Sequence, residues 1–268
     1  MLLGATLNAI SPYAEVFSKN SVQVPVIMYH QISENPVVLG DYAIPLKVLQ
    51  SDFQYFKTKG ITPVSFKDLK NYVKIGTALP KKCVVITFDD GERSFLTKVL
   101  PLLEKYKFPA NVNIVGSLIA LYTKNGDTDD RYAYLNEDDI VTLSQNNLVE
   151  LGCHSYNMHS LSTRKGMGKL KGETEEKYTA IIQEDLSLFR EQFHRLTGAD
   201  PDIMAYPYGI RNDSLLEMVK DNNFSVSLTC RESINTITVG GDLYELGRFN
   251  RPYGISSEVF FENIFNYD

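Results

Sequence analysis

Apolar positions along the chain recur with two periods. Short runs rich in Val, Ile and aromatic residues, over 22–29, 61–64, 83–88, 110–115, 149–152, 204–206, 224–229 and 245–249, predict strands. Between them the apolar residues keep helical spacing. Pro45 opens a helix carrying Leu46, Leu49, Phe53 and Phe56, and Gly60 stops it. Phe66, Leu69, Tyr72 and Val73 mark a second helix before Gly76, and Phe95, Val99, Leu102 and Leu103 a third. Further helices are expected over 137–146, with Asn136 as cap, over 175–196, the longest, and over 214–220 and 259–264. The polar, glycine-bearing stretch 116–131 reads as a long loop with a helical turn near 118–122, and 162–173 reads as a mobile loop. Alternation of strands and helices means parallel strands with crossover helices in one α/β domain, either a (β/α) barrel or an open doubly wound sheet. No internal repeat or linker divides it.

One strand ends in two acids. Val84-Val85-Ile86-Thr87-Phe88 runs into Asp89-Asp90-Gly91. In α/β folds the strand ends collect catalytic groups, although D-D-G also makes a good polar turn. On an extended chain the two acids point to opposite sides and take different jobs. Of the 4 histidines, His30, His154 and His159 fall at or just after strand ends, and His194 lies on the solvent side of a helix. A tight loop can turn His154 and His159 toward one metal ion, and Asp90 would complete a His-His-carboxylate set with open positions. Such an ion acidifies its water and polarises a carbonyl, and Asp89 is placed to take the proton. The alternative is a set of separate polar turns.

Composition narrows the partners. A net charge of −6 argues against nucleic acid and anionic membrane surfaces, but leaves a neutral or cationic polymer open. The chain has 16 Tyr, 14 Phe and no Trp; tyrosines can serve a sugar groove, although most read as packing. Three cysteines, Cys83, Cys153 and Cys230, form no framework and read as small core residues. Residues 1–20 are apolar but short and lack a basic start. The expectation is an export-signal or anchor remnant over 1–20, a catalytic domain over 21–268, and an extracellular or cell-surface location.

The motifs T-F-D-D-G, H-S-x-x-x-H and A-Y-P-Y-G, in this order, resemble the polysaccharide deacetylases of carbohydrate esterase family 4, the NodB-homology domain. The opening V-P-V-I-M-Y-H and L-P-x-K-x-V-V-I-T-F-D-D-G look like the poly-N-acetylglucosamine and cell-wall branch. The resemblance implies a distorted (β/α) barrel, often seven-stranded, and a divalent metal. Zinc is the default, with cobalt, nickel, manganese or iron as substitutes. It implies Asp89 as base, and Asp90, His154 and His159 as metal ligands. It also implies Pro207-Tyr208-Gly209 as a substrate-binding turn whose Tyr208 amide stabilises an oxyanion. Three features depart from the family pattern, the first being that the chain has no Trp where the fourth motif usually carries one. Ala205 stands where an Arg orients the base, and Leu246-Gly247-Arg248 ends in Arg where a His serves as acid. Arg248, with Arg251 and Arg231 behind it, is then the candidate partner of Asp89. His30 is the candidate acid, as in the branch this chain resembles.

The implied activity is release of acetate from an N-acetylglucosamine-type polysaccharide by a monomer using neither nucleic acid nor a nucleotide cofactor. Two other readings stay open. One is a hydrolase of a small amide on the same scaffold, which a deep closed pocket would favour. The other is a glycan-binding relative without catalysis, which the missing Arg, Trp and His would allow.

Overall fold

The computed structural model describes residues 21–265, so the expected remnant over 1–20 lies outside the described residues. Thirteen strands run in chain order: β1 (Ser21–Val24), β2 (Val26–Tyr29), β3 (Gln31–Ile32), β4 (Ala43–Ile44), β5 (Thr62–Pro63), β6 (Cys83–Phe88), β7 (Ala110–Ile114), β8 (Val149–Cys153), β9 (Ile203–Ala205), β10 (Val226–Leu228), β11 (Asn235–Thr238), β12 (Leu243–Leu246) and β13 (Phe249–Asn250). Eight of them form a curled parallel sheet in the order β12-β10-β9-β8-β7-β6-β2-β13, and β5 also pairs with β6. This is the sheet of a distorted (β/α) barrel in one domain, with crossover helices covering its outer face.

The sequence dictates that layering. Along β6, Val84, Ile86 and Phe88 pack into one apolar cluster with the helices, while Cys83 and Val85 join a second cluster with Ile203, Ala205, Val226 and Leu228 from β9 and β10. Thr87 and Asp89 continue the second, inward series at period two. The helix Leu46–Lys59 ends at Gly60 in the left-handed conformation, φ 66°, which glycine adopts without steric cost. Buried Asp52 on that helix accepts hydrogen bonds from Arg251 (2.9 and 3.0 Å), Ser257 (2.6 Å) and Tyr29 (3.0 Å), tying it to the C-terminal segment and to β2.

The two end strands of the sheet, β12 and β13, are neighbours in sequence, separated only by Gly247 and Arg248. The seam of the barrel is therefore bridged by the chain itself, and the Arg248 side chain fills it with no exposed surface. Gly247 is required there, because a Cβ would lie 2.0 Å from Ser233 Oγ and 2.6 Å from Arg231 O.

Several expectations need correction. The stretch 116–131 begins with a helix, Gly116–Asn125. Its inward face carries little beyond Gly116 and Ile119, too short an apolar stripe to show as a period. The 162–173 segment is pinned rather than loose. Arg164 forks onto Glu173 (2.5 and 3.0 Å), Met167 is fully buried, and its carbonyl accepts from Tyr178 Oη at 2.9 Å. Cys230 is exposed, not a core residue. The 22–29 run is two strands, because Pro25 has no N–H and breaks the ladder; β1 leaves to pair antiparallel with β11, a strand not expected at all. The 245–249 run splits into β12 and β13 around the seam. No helix of the described residues is long and apolar enough to cross a membrane.

Candidate active site

β2, β6, β8 and β9 deliver their chemistry to the same end of the barrel. Tyr29 of β2 pairs with Phe88 of β6, so His30 and Asp89 leave two adjacent strands side by side. Asp89 is buried, and Arg248 grips it with both arms of its fork, Nη1 to Oδ1 and Nη2 to Oδ2, each at 2.7 Å. Arg248 Nε donates to Thr229 O at 2.9 Å, which fixes the fork's plane. Burial alone would raise the Asp89 pKa, but the Arg248 guanidinium outweighs it and holds the carboxyl well below the usual range.

Asp90 does not continue the extended strand. Its φ is 72°, left-handed backbone that few non-glycine residues adopt. The kink explains why the two acids, expected on opposite sides, serve one centre. Asp90 Oδ1 lies 3.1 Å from His159 Nε2 and 3.5 Å from His154 Nε2. The three residues' donor atoms all fall within 4.8 Å of one another.

The donor set fits a divalent cation. His154 Nδ1 is 2.8 Å from Ala205 O, and a carbonyl only accepts, so Nδ1 carries the proton. Nε2 then turns a lone pair toward the Asp90 carboxylate. Asp90 Oδ1 is buried without an aligned hydrogen bond. Two buried acceptors facing each other are unfavourable until a cation or proton lies between them. Burial lowers the His154 pKa, which keeps its ring neutral and ligand-ready. Burial would lower His159 too, but the Asp90 carboxylate outweighs it and raises the value.

The polysaccharide deacetylase family model matches residues 76–227, more than half of the chain. The chain belongs to that family. A poly-beta-1,6-N-acetyl-D-glucosamine N-deacetylase of Escherichia coli K12 is 26% identical over 227 residues, which is 78% of this chain but 34% of that protein. The chain thus spans about a third of the length of that relative. A Staphylococcus aureus protein of the same name is 25% identical over 198 residues, 74% of this chain and 64% of that one. Among solved structures, a de-N-acetylase from Aggregatibacter actinomycetemcomitans superposes with a TM-score of 0.75 at 24% identity, covering 92% of this chain and 100% of the other. IcaB from Ammonifex degensii gives 0.72 at 22% identity, covering 87% and 93%. Both share the fold described above.

The remaining residues of this deacetylase-family site take distinct places. Pro207 is buried and starts a tight turn in which Tyr208 has φ 58° and Gly209 φ 65°. A Cβ on Gly209 would come within 2.8 Å of the Cys230 backbone. The Tyr208 ring stacks on His159, centroids 4.6 Å apart, with its hydroxyl 3.5 Å from Nδ1. His30 packs edge-on against Tyr42 at 4.9 Å, burial lowers its pKa, and its Nδ1 has no hydrogen-bond partner among the described residues. Arg251 is committed to Asp52, and Arg231 is exposed; of the three candidate arginines, Arg248 is the one paired with Asp89.

Sequence reasoning missed three contributors. Asn113 on β7 donates to Asp89 Oδ1 at 2.8 Å. The A-N-V-N-I alternation of β7 was its signal, since an asparagine inside a barrel needs a partner. Asp185, on the long helix Glu175–Thr197, accepts from the amides of Tyr156 (2.8 Å) and Asn157 (2.7 Å) and holds the His154–His159 loop. Glu92 lies beside Asp90, and burial followed by the Asp90 charge pushes its pKa up to about 8.

Proposed function

We propose that this chain is a metal-dependent hydrolase that removes N-acetyl groups from an N-acetylglucosamine-type polysaccharide and releases acetate. The observation that carries the reading is the Asp90-His154-His159 set standing next to a buried, Arg-clamped carboxylate at one end of the barrel. The names of the E. coli and S. aureus relatives favour poly-N-acetylglucosamine as substrate; peptidoglycan is the other candidate, and either polymer would be met at an extracellular or cell-surface location.

Asp90, His154 and His159 would hold the ion, zinc first and cobalt, nickel, manganese or iron as substitutes. When bound, it polarises the acetamido carbonyl and acidifies a water. Asp89 takes a proton from the attacking water, and Arg248 keeps that carboxylate ionised and in one orientation. The Gly209 and Ile210 amides close the turn, and the Tyr208 amide just ahead of them would donate to the developing oxyanion. His30 gives a proton to the departing amine. Pro207 and Gly209 shape the turn that seats the sugar beside Tyr208.

The exposed rings of Tyr208, stacked on His159, and of Tyr42, packed against His30, favour an open glycan groove over a closed pocket for a small amide. Against a purely glycan-binding relative, the buried Asp89 carboxylate stands beside the intact Asp90-His154-His159 set, the arrangement that a base and a metal-bound water need. The test is acetate release from a panel of N-acetylated glycans by metal-loaded protein. Release from a poly-N-acetylglucosamine oligomer is expected; silence across the panel with metal bound would refute the hydrolase.

A further inference from the structure

We propose that Asn113 is a positioning residue that leaves Oδ2 of Asp89 as the proton-accepting atom. The inference rests on the reading of Asp89 as base. Asn111 and Asn113 both point to the barrel interior from β7 and are fully buried. A buried carboxamide is costly unless its groups are bonded. β8 makes room for this one: Gly152 is the register partner of Asn113, and a Cβ there would lie 2.2 Å from Asn113 Oδ1. A carboxylate can only accept, so the amide nitrogen, not the amide oxygen, faces Asp89.

An ionised carboxylate offers about four in-plane lone-pair positions, two on each oxygen. Oδ1 receives Asn113 Nδ2 at 2.8 Å and Arg248 Nη1 at 2.7 Å, and both its positions are filled. Oδ2 receives only Arg248 Nη2, at 2.7 Å. One position on Oδ2 is left for a proton from water. Without Asn113, both oxygens would keep a free position, and the accepting atom would no longer be defined. Misplacing a reacting group by about 1 Å costs on the order of a hundredfold in rate.

The test compares wild-type, metal-loaded full-length protein with Asn113→Leu on a poly-N-acetylglucosamine oligomer, measuring kcat, KM and bound metal. Asn113→Leu keeps the γ-branched outline and removes the donor, but adds bulk; Asn113→Ala, smaller than Asn, serves if the larger side chain does not fold against Gly152. Expected is a loss of roughly tenfold to a hundredfold in kcat, with KM and metal content held. On an Asp89→Ala background the same change should cost nothing further, because Asn113 acts through Asp89. A folded, metal-loaded variant with wild-type kcat, or an equal loss on the Asp89→Ala background, would overturn the inference while leaving the deacetylase reading intact. No acetate release by loaded wild-type protein would instead remove the reading itself, and this inference with it.

Discussion

Arg248 and Asp89 are worth more as a fork than as two charges. The guanidinium meets both carboxylate oxygens at 2.7 Å, and neither residue is appreciably exposed. A lysine could reach only one oxygen and would leave the other to turn. Arg248→Lys should therefore cut kcat at least about tenfold with little change in KM. Arg248→Met strands a buried carboxylate and should lower the unfolding free energy by about 3–5 kcal/mol in urea titration; an unchanged midpoint would contradict the pairing. Glu92 gives a pH signature in the metal-free protein. Its folded pKa, about 8, lies above the ordinary glutamate value of about 4.3. The folded state keeps a proton that the unfolded chain has already lost. Stability present at low pH is thus lost as pH rises through that window. Glu92→Gln cannot ionise, so its melting temperature should fall less than wild type's between about pH 5 and 8; parallel curves would contradict the burial argument. At this scale Asp89, Asp90, His154 and His159 were legible because rare residue types cluster at strand ends. Asn113 and Asp185 were not, because their roles depend on which strand or helix lies opposite.

The elements explain how a five-residue spacing still converges on one point. The loop after β8 turns through Ser155, at φ 69°, and Met158 N donates back to Ser155 Oγ at 2.9 Å. Asp185 then collects the two amides between them. The helix Gly116–Asn125 supports the same loop: its Gly116 and Ser117 amides donate to Ser155 O (3.1 Å) and Tyr156 O (2.7 Å). Asp185→Ala should release the loop and weaken metal affinity roughly tenfold to a hundredfold, read by competition with a chelator. Unchanged affinity would show that the loop holds its shape unaided. The helix Glu175–Thr197 was plain from its long apolar stripe, but a polar residue on its inner face carries no periodic signal. Gly116–Asn125 was hidden for a related reason: its support comes from contacts with the loop rather than from its own pattern.

Across the whole molecule, the alternating pattern was enough to give parallel strands with crossover helices, since βα alternation leaves few topologies, and the family resemblance chose the barrel over an open sheet. The seam was not legible. The 245–249 run read as one strand, because nothing local marks Gly247-Arg248 as a crossing between the two edges of the sheet. That crossing brings Arg248 into the barrel opposite Asp89. Strand ends, seam and metal set thus meet at a single centre. The measurement that tests this most directly is acetate release from a poly-N-acetylglucosamine oligomer by metal-stripped protein titrated with zinc. Activity should be absent in the stripped protein, rise to a plateau at about one ion per chain, and fail to return in His159→Ala. Full activity without metal, or full recovery in His159→Ala, would contradict it.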